Sequence, residues 1–268
     1  MTLSSRPDRS GFTLIEVLMV VLLLTILAVG SVTLLPDTIN ESRFNQTVEK
    51  LNQIRNAMVG NPDIHEGTTR TSFGFLGDMG VIPASISDLL TLPGGASAYA
   101  SNSTVRFGLG WNGPYLTGGN TQTDYTKDAW GTALVYTPGA SPPTLVSLGA
   151  DAVVGGTGFN QDITVNLPVE LTTATVSGYI CQGGGPFVAT AQVELNMPNG
   201  TGALSQAESN LLPADKGNFT FSPVPMGIRS ISIYIPSKAS PTQTLGPIVF
   251  TVAQPNVVVP CNLIDISP

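Results

Sequence analysis

Charge is what this chain has least of: 11% of its 268 residues are Asp, Glu, Lys or Arg, and their balance is −7. No Lys/Arg cluster stands ready to neutralise phosphates, which sets a nucleic-acid-binding role aside. Histidine is scarcer still. His65 is alone, in a polar loop with Asp63, Glu66 and Arg70, where a solvated imidazole is a better reading than a catalytic base. Nucleophile motifs, a Walker loop and zinc-ligand spacing are missing. Gly183-Gly184-Gly185-Pro186 lacks the Lys and the helix of a phosphate loop and reads as a flexible hairpin. These absences leave no enzyme site to argue for. Cysteine is limited to Cys181 and Cys261, which can form one disulfide in an exported chain, a pairing the sequence leaves open.

What is present is apolar and turn-rich. Hydrophobic residues make up 42% of the chain, beside 29 Gly and 21 Pro. That balance supports a real core built from short strands joined by turns, in one large domain or two ordinary ones.

The longest apolar run begins near the N-terminus. Arg6 and Arg9 stand before it against Asp8, about 24 mainly apolar residues follow Gly11, and Asp37 and Glu41 come after it. Positive charge before and negative charge after place the head in the cytoplasm and the remainder across the membrane. Residues 17–35 number 19 and, at about 1.5 Å each, span roughly 28 Å as a helix, close to a bilayer's hydrocarbon core. A cleaved signal peptide would have a shorter apolar core and an A-x-A site, and none follows Leu35. A plain anchor fits the length but explains neither Gly11 nor Glu16, the one carboxylate inside the run.

Read together, Gly11-Phe12-Thr13-Leu14-Ile15-Glu16-Val17 resembles the leader of type IV pilins and pseudopilins. The resemblance implies that a prepilin peptidase cuts between Gly11 and Phe12 and methylates the new amino terminus. The apolar segment then stays as both anchor and assembly element. A lone ionised carboxylate in hydrocarbon costs at least about 2.5–3.5 kcal/mol. The implied partner of Glu16 is the α-amino group of Phe12 on a neighbouring subunit, a buried pair suited to fixing register.

Beyond the run, Phe44, Val48, Leu51, Ile54 and Met58 recur at helical spacing, and this stripe is expected to pack on its own domain. Pro36 is a candidate kink or point of unwinding, and Gly60-Asn61-Pro62 a stop. Residues 73–90 read as a loop and then a short helix opened by Ser85 and Asp88. Trp111 and Tyr115 read as core anchors, and residues 127–136, 144–151 and 163–167 as strands with their turns. The order GPYL, DAWG and SLGADAVVGGTGFNQDI is similar to the globular domain of type II secretion major pseudopilins, and with the leader the resemblance covers residues 11–167. It implies a helical spine on a small antiparallel sheet, and calcium in the loop 147–162.

Calcium takes roughly six to eight oxygen ligands, and a glycine-rich loop can turn carbonyls inward to supply them. The carried-over ligands are Asp151 and Asp162, with Ser147 and Leu148 as further contributors; Ala152 departs from the family's glycine. The alternative is a tight turn held by Asx hydrogen bonds.

From residue 175 onward, apolar alternation broken by turns about every ten residues argues for a β-sandwich. SGYI, AQVEL and GNFTFSPVPMGIRSISI resemble transthyretin-like or carboxypeptidase-regulatory-like modules, in which Cys181 and Cys261 would staple the first strand to the last. The expected fold is therefore α+β, laid out as a leader (1–11), a transmembrane and assembly helix (12–60), a pseudopilin-like domain (61–170) and a sandwich (175–268). Ordinary major pseudopilins lack the last part, so the resemblance implies a minor or specialised subunit. It would be anchored in a bacterial inner membrane with its body in the periplasm. Its implied partners are other pilin subunits, prepilin peptidase and the inner-membrane assembly platform. Two functions stay open: a filament subunit for exporting folded proteins, or a pilus subunit whose sandwich adheres to a surface or partner.

Overall fold

The computed structural model describes residues 11–116 and 124–266, and for residues 27–36 the helical backbone alone. The head with Arg6, Asp8 and Arg9 lies outside the described residues. One helix, α1 (Leu14–Val59, 46 residues), dominates the N-terminal part and runs through position 36 without a break. It stops where predicted: Gly60 adopts φ 83°, and its N–H closes on Asn56 O at 2.7 Å. The apolar stripe does pack inward, with Leu51, Ile54 and Met58 fully buried and Phe44 edge-on to Phe159 at 6.5 Å.

Helix α2 (Gly74–Met79) lies in the stretch expected to be a loop, and it buries Phe75, Leu76 and Met79. Its glycines hide it from propensity, whereas tertiary burial of three apolar side chains outweighs their cost. The expected short helix is one 3₁₀ turn, Ile86–Leu89, with the Ser85 N–H donating to Asp88 Oδ2 at 2.9 Å. The anchors behave as read: Trp111 and Tyr115 meet edge-on at 6.0 Å, and Trp111 Nε1–H donates to Asp88 O.

Two ribbons, β1 (His65–Glu66) with β2 (Thr69–Arg70) and β3 (Ala100–Asn102) with β4 (Phe107–Leu109), precede a three-stranded antiparallel sheet. That sheet is β5 (Val135–Thr137), β6 (Thr144–Ser147) and β7 (Ile163–Asn166), with β6 central. Leu145 in the middle strand is fully buried under α1. Thus the expected spine-on-sheet arrangement is present.

The C-terminal part opens with β8 (Thr173–Tyr179) and a tight hairpin of β9 (Cys181–Gln182) and β10 (Gly185–Pro186). Gly183 and Gly184 both take positive φ in that hairpin, the turn a two-residue hairpin needs. Then come β11 (Ala191–Pro198), β12 (Leu204–Leu211), β13 (Asn218–Pro225), β14 (Gly227–Ile235), β15 (Gln243–Val252) and β16 (Asn256–Val259). One sheet has the order β12-β11-β14-β15 and the other β13-β8-β16, with β16 parallel to β8. Val193, Leu195, Ile231 and Ile233 of the first sheet share a buried cluster with Val176, Phe219, Phe221 and Val259 of the second, so the sandwich expectation holds. Strand β12, LSQAESNL, carries no apolar alternation. It forms because all eight of its residues pair with β11.

The buried cluster does not divide between residues 170 and 175. Leu51, Met58, Phe75 and Met79 belong to the same cluster as Val176, Ile231 and Val252. Arg229 of β14 bridges the junction: it is fully buried and donates through Nη1 to Gly77 O at 3.0 Å and through Nη2 to Met226 O at 2.6 Å. Burial pushes its guanidinium down to about 9, with the charge of Asp78 as counterweight.

Candidate functional site

The N-terminal candidate begins in exposed chain ahead of the helix. Gly11 and Phe12 precede the helix, and an added Cβ at Gly11 would meet nothing within 4 Å. Thr13 is the N-cap of α1, and it forms a capping box with Glu16. The Glu16 N–H donates to Thr13 Oγ1 and the Thr13 N–H to Glu16 Oε2, both at 3.4 Å. Within one chain, then, Glu16 satisfies an orphan donor at its own helix start and lies favourably at the positive end of the helix dipole. The T-x-x-E spacing at Thr13 carried this information, although reading Glu16 only as an awkward charge in an apolar run passes over it.

Apolar side chains on either side of the cap are open to solvent: Phe12 is 82% exposed and Ile26 62%, with Leu14, Ile15, Val17 and Leu18 through Leu24 between them also exposed. Among the described residues no helix is long and apolar enough to cross a membrane. The expected span 17–35 runs into residues 27–36, whose side chains lie outside the description.

The second candidate is the loop between β6 and β7. Ala150 N–H donates to Phe159 O at 2.8 Å, and Asp162 N–H to Gly155 O at 3.2 Å, closing the loop on itself. Asp151 is exposed and accepts the Val153 N–H through Oδ1 at 3.1 Å, the Asx turn expected as the alternative to a metal. Asp162 accepts the Gly155 N–H through Oδ2 at 3.1 Å. Its Oδ1 is buried without a hydrogen-bond partner. A buried orphan carboxylate oxygen beside a glycine turn is what a hard cation would satisfy, so Asp162 fits the ion. Leu148 is half-buried, and Asp151 retains a free carboxylate oxygen.

Ser147 is placed elsewhere. Its hydroxyl is buried, donates to Asp128 Oδ2 at 2.7 Å and accepts the Gly149 N–H. Among the described residues no group of three or more His, Cys, Asp or Glu side chains is gathered. Carbonyls or water would therefore complete the ligand set. Ala152, the departure from glycine, takes φ 58°, the left-handed region that favours glycine.

Asp128 was read only as part of a turn, yet it joins this loop to the helix. Its Oδ1 accepts the N–H groups of Trp130 and Thr132 at 3.0 and 2.9 Å, while Oδ2 holds Ser147. The turn it organises is clasped by α1. The Thr47 hydroxyl accepts the Ala129 N–H at 3.1 Å, Asn40 Oδ1 accepts Trp130 Nε1–H at 3.2 Å, and Lys50 donates to the carbonyls of Asp124 and Lys127. Burial draws the Lys50 ammonium below its usual range, while Asp124 and Asp128 pull it back up. Asx-turn spacing could have pointed to Asp128; nothing local pointed to Thr47 or Asn40.

Residues 6–32 match the prokaryotic N-terminal methylation motif, and residues 94–166 match type II secretion system protein G. Over the matched residues the chain is similar to type IV pilins and pseudopilins. The core protein G of the type II secretion system of Xanthomonas campestris pv. campestris is 28% identical over 165 residues, which take in 91% of that pseudopilin but 59% of this chain. No solved structure matches. The pseudopilin match ends at residue 166, within β7, so the clasped turn and the loop 147–162 lie inside it and the sandwich lies outside it.

Proposed function

We propose that this chain is a non-enzymatic structural subunit, minor or specialised in kind, of a type II secretion filament. In this reading it is cut between Gly11 and Phe12 and methylated on Phe12 by a prepilin peptidase, then held in the inner membrane with its body in the periplasm until the assembly platform inserts it. The observation that carries the reading is the division of α1: among its described side chains the buried ones begin at Thr47, and the side chains from Phe12 to Ile26 are exposed and apolar apart from Thr13, Glu16 and Thr25. A continuous apolar helix surface of that length needs lipid or neighbouring subunits to cover it.

Glu16 then exchanges its local cap for the α-amino group of Phe12 on the next subunit, which sets the stagger between copies. Glu16→Ala is expected to reduce filament assembly at unchanged membrane level, measured by shearing or cross-linking; assembly equal to wild type refutes the role. Intact mass of membrane-extracted protein should match a chain starting at methylated Phe12, and an unprocessed Met1 terminus sinks the reading.

In the same reading the loop takes calcium, with Asp162 and Asp151 as carboxylate ligands and loop carbonyls, including that of Leu148, completing the shell. The ion supplies charge balance and cross-links the loop ends. Calcium should raise the wild-type melting temperature and leave Asp162→Ala unmoved; no effect on wild type removes the site. A second function, a pilus subunit with an adhesive module, is favoured by one observation, that the whole sandwich lies beyond the protein G match. Gene deletion separates them: a secretion defect supports the first reading, and an adhesion or motility defect with intact secretion supports the second.

A further inference from the structure

The two sheets of the sandwich end in four edge strands, β12, β15, β13 and β16. Three of these edges are guarded against pairing with a further strand. β12 carries Glu208, β13 contains Pro223 and Pro225, and β16 is four residues long between Pro255 and Pro260. Charge, proline and shortness are the devices that keep a strand edge from recruiting another chain. The fourth edge, β15, is the longest of the four at ten residues. Only its first half is guarded, by the bulge at Gly246-Pro247, where the register against β14 shifts and proline lacks an N–H.

The second half, IVFTV at residues 248–252, has no such device. No Asp, Glu, Lys or Arg occurs anywhere from residue 239 to residue 264. Among the described residues β15 pairs with β14 alone, so its other side offers a row of unpaired backbone groups. Residues of the β1–β2 ribbon face Thr251 and Gln254 across a cavity of about 440 Å³, which leaves that end of the edge open too. The side chains sort by register. Ile248 stands opposite the fully buried Ile231 and Phe250 opposite the fully buried Arg229, so these two face the interior, yet both are only half-buried. Val249 and Thr251 take the outer face, opposite Ser230 and Ile228, and Val249 is 41% exposed. The core is therefore unfinished along this edge.

We propose that residues 248–252 of β15 pair antiparallel with the same residues of a second copy of this chain. The register is centred on Phe250, which sets Ile248 opposite Val252 and Val249 opposite Thr251. Every pair is then apolar or hydroxyl-bearing, and no charge is left facing a wall that cannot answer it. Short, uncharged, β-prone segments without proline are the ones that self-pair. In this register Gly246 and Pro247 fall outside the paired stretch, so the bulge fixes where the contact ends. The two four-stranded sheets become one of eight strands, and the half-buried Ile248 and Phe250 of each copy gain cover from the other. Such a contact uses the same surface on both partners and closes on itself. It is distinct from the surface of α1 and does not rest on the filament reading.

The test is sedimentation equilibrium of the full detergent-solubilised chain. Wild type should show a reversible monomer–dimer equilibrium. Like charges set directly opposite each other across a strand pair are destabilising, so the Val249→Lys, Thr251→Lys variant should dimerise at least about tenfold more weakly. Mixing it with a Val249→Glu, Thr251→Glu variant should restore a dimer with one chain of each kind. Circular dichroism establishes that each variant is folded; if a double variant is not, Val249→Lys mixed with Val249→Glu decides in its place. A monomeric wild type overturns the proposal. So does a dimer that the introduced charges leave unmoved, which puts the contact elsewhere, as on α1. Failure of the folded, oppositely charged variants to pair also overturns it, and leaves the edge to a strand of another protein.

Discussion

Asp128 holds Trp130 N–H, Thr132 N–H and the Ser147 hydroxyl with a carboxylate that is 4% exposed. Removing it leaves the buried Ser147 hydroxyl and the N–H groups of the half-buried Trp130 and Thr132 unpaired, at a penalty for each. Asp128→Ala is therefore expected to cost about 3 kcal/mol in urea unfolding and to loosen the loop that starts at Ser147. At Asp78 the sign is opposite. Burial pushes its carboxyl up to about 6, against the opposing hydrogen bond from Tyr115 and the charge of Arg229. A raised folded-state value means that the stability tied to protonation is full below the unfolded value of 3.8 and lost as pH rises through about 6. The stability difference between wild type and Asp78→Asn should therefore change across that window, wild type gaining on acidification relative to the variant. A difference that is flat with pH would contradict this environment. Individual residues were legible only where spacing is local, as at Gly60 and at the Ser85–Asp88 cap. Thr47, Asn40 and Arg229 act through partners that are distant in sequence.

Elements were legible where periodicity is strong. The stripe of Leu51, Ile54 and Met58 announced the buried half of α1, and the alternation in RSISIYI and NFTFSPVP announced β14 and β13. Helix α2 and strand β12 were not, because Gly74 and Gly77 disguise the first and the polar run SQAESN disguises the second. Burial and strand pairing override weak propensity in both. The end of α1 permits a direct test. An added Cβ at Gly60 would stand 2.2 Å from Ser72 O, at a backbone φ of 83°. Gly60→Ala should destabilise the protein by about 2 kcal/mol or more, lowering the thermal midpoint.

At the scale of the molecule, Cys181 and Cys261 are joined as a disulfide with Cα atoms 5.7 Å apart, across 80 residues of sequence. The bond ties β9 to the 3₁₀ turn after β16, closing the sandwich. Loop-closure entropy for that separation makes it worth up to about 4 kcal/mol, so reduction, or Cys181→Ser with Cys261→Ser, should lower the melting temperature by several degrees. An unchanged midpoint would mean that the core alone holds the sandwich. Before any folding is considered, local pattern specifies the methylation-motif match around Gly11, the long helix, its stop and the strand-rich tail, because caps, periodicity and turn chemistry act over a few residues. Pattern cannot specify that the two halves share one core across the Arg229 junction, that Asp128 clasps α1 to the loop, or that Asp162 Oδ1 is left buried and unpaired. Those follow from which surfaces meet, and side chains far apart in sequence acquire partners, burial and shifted charge only once the chain has closed around them.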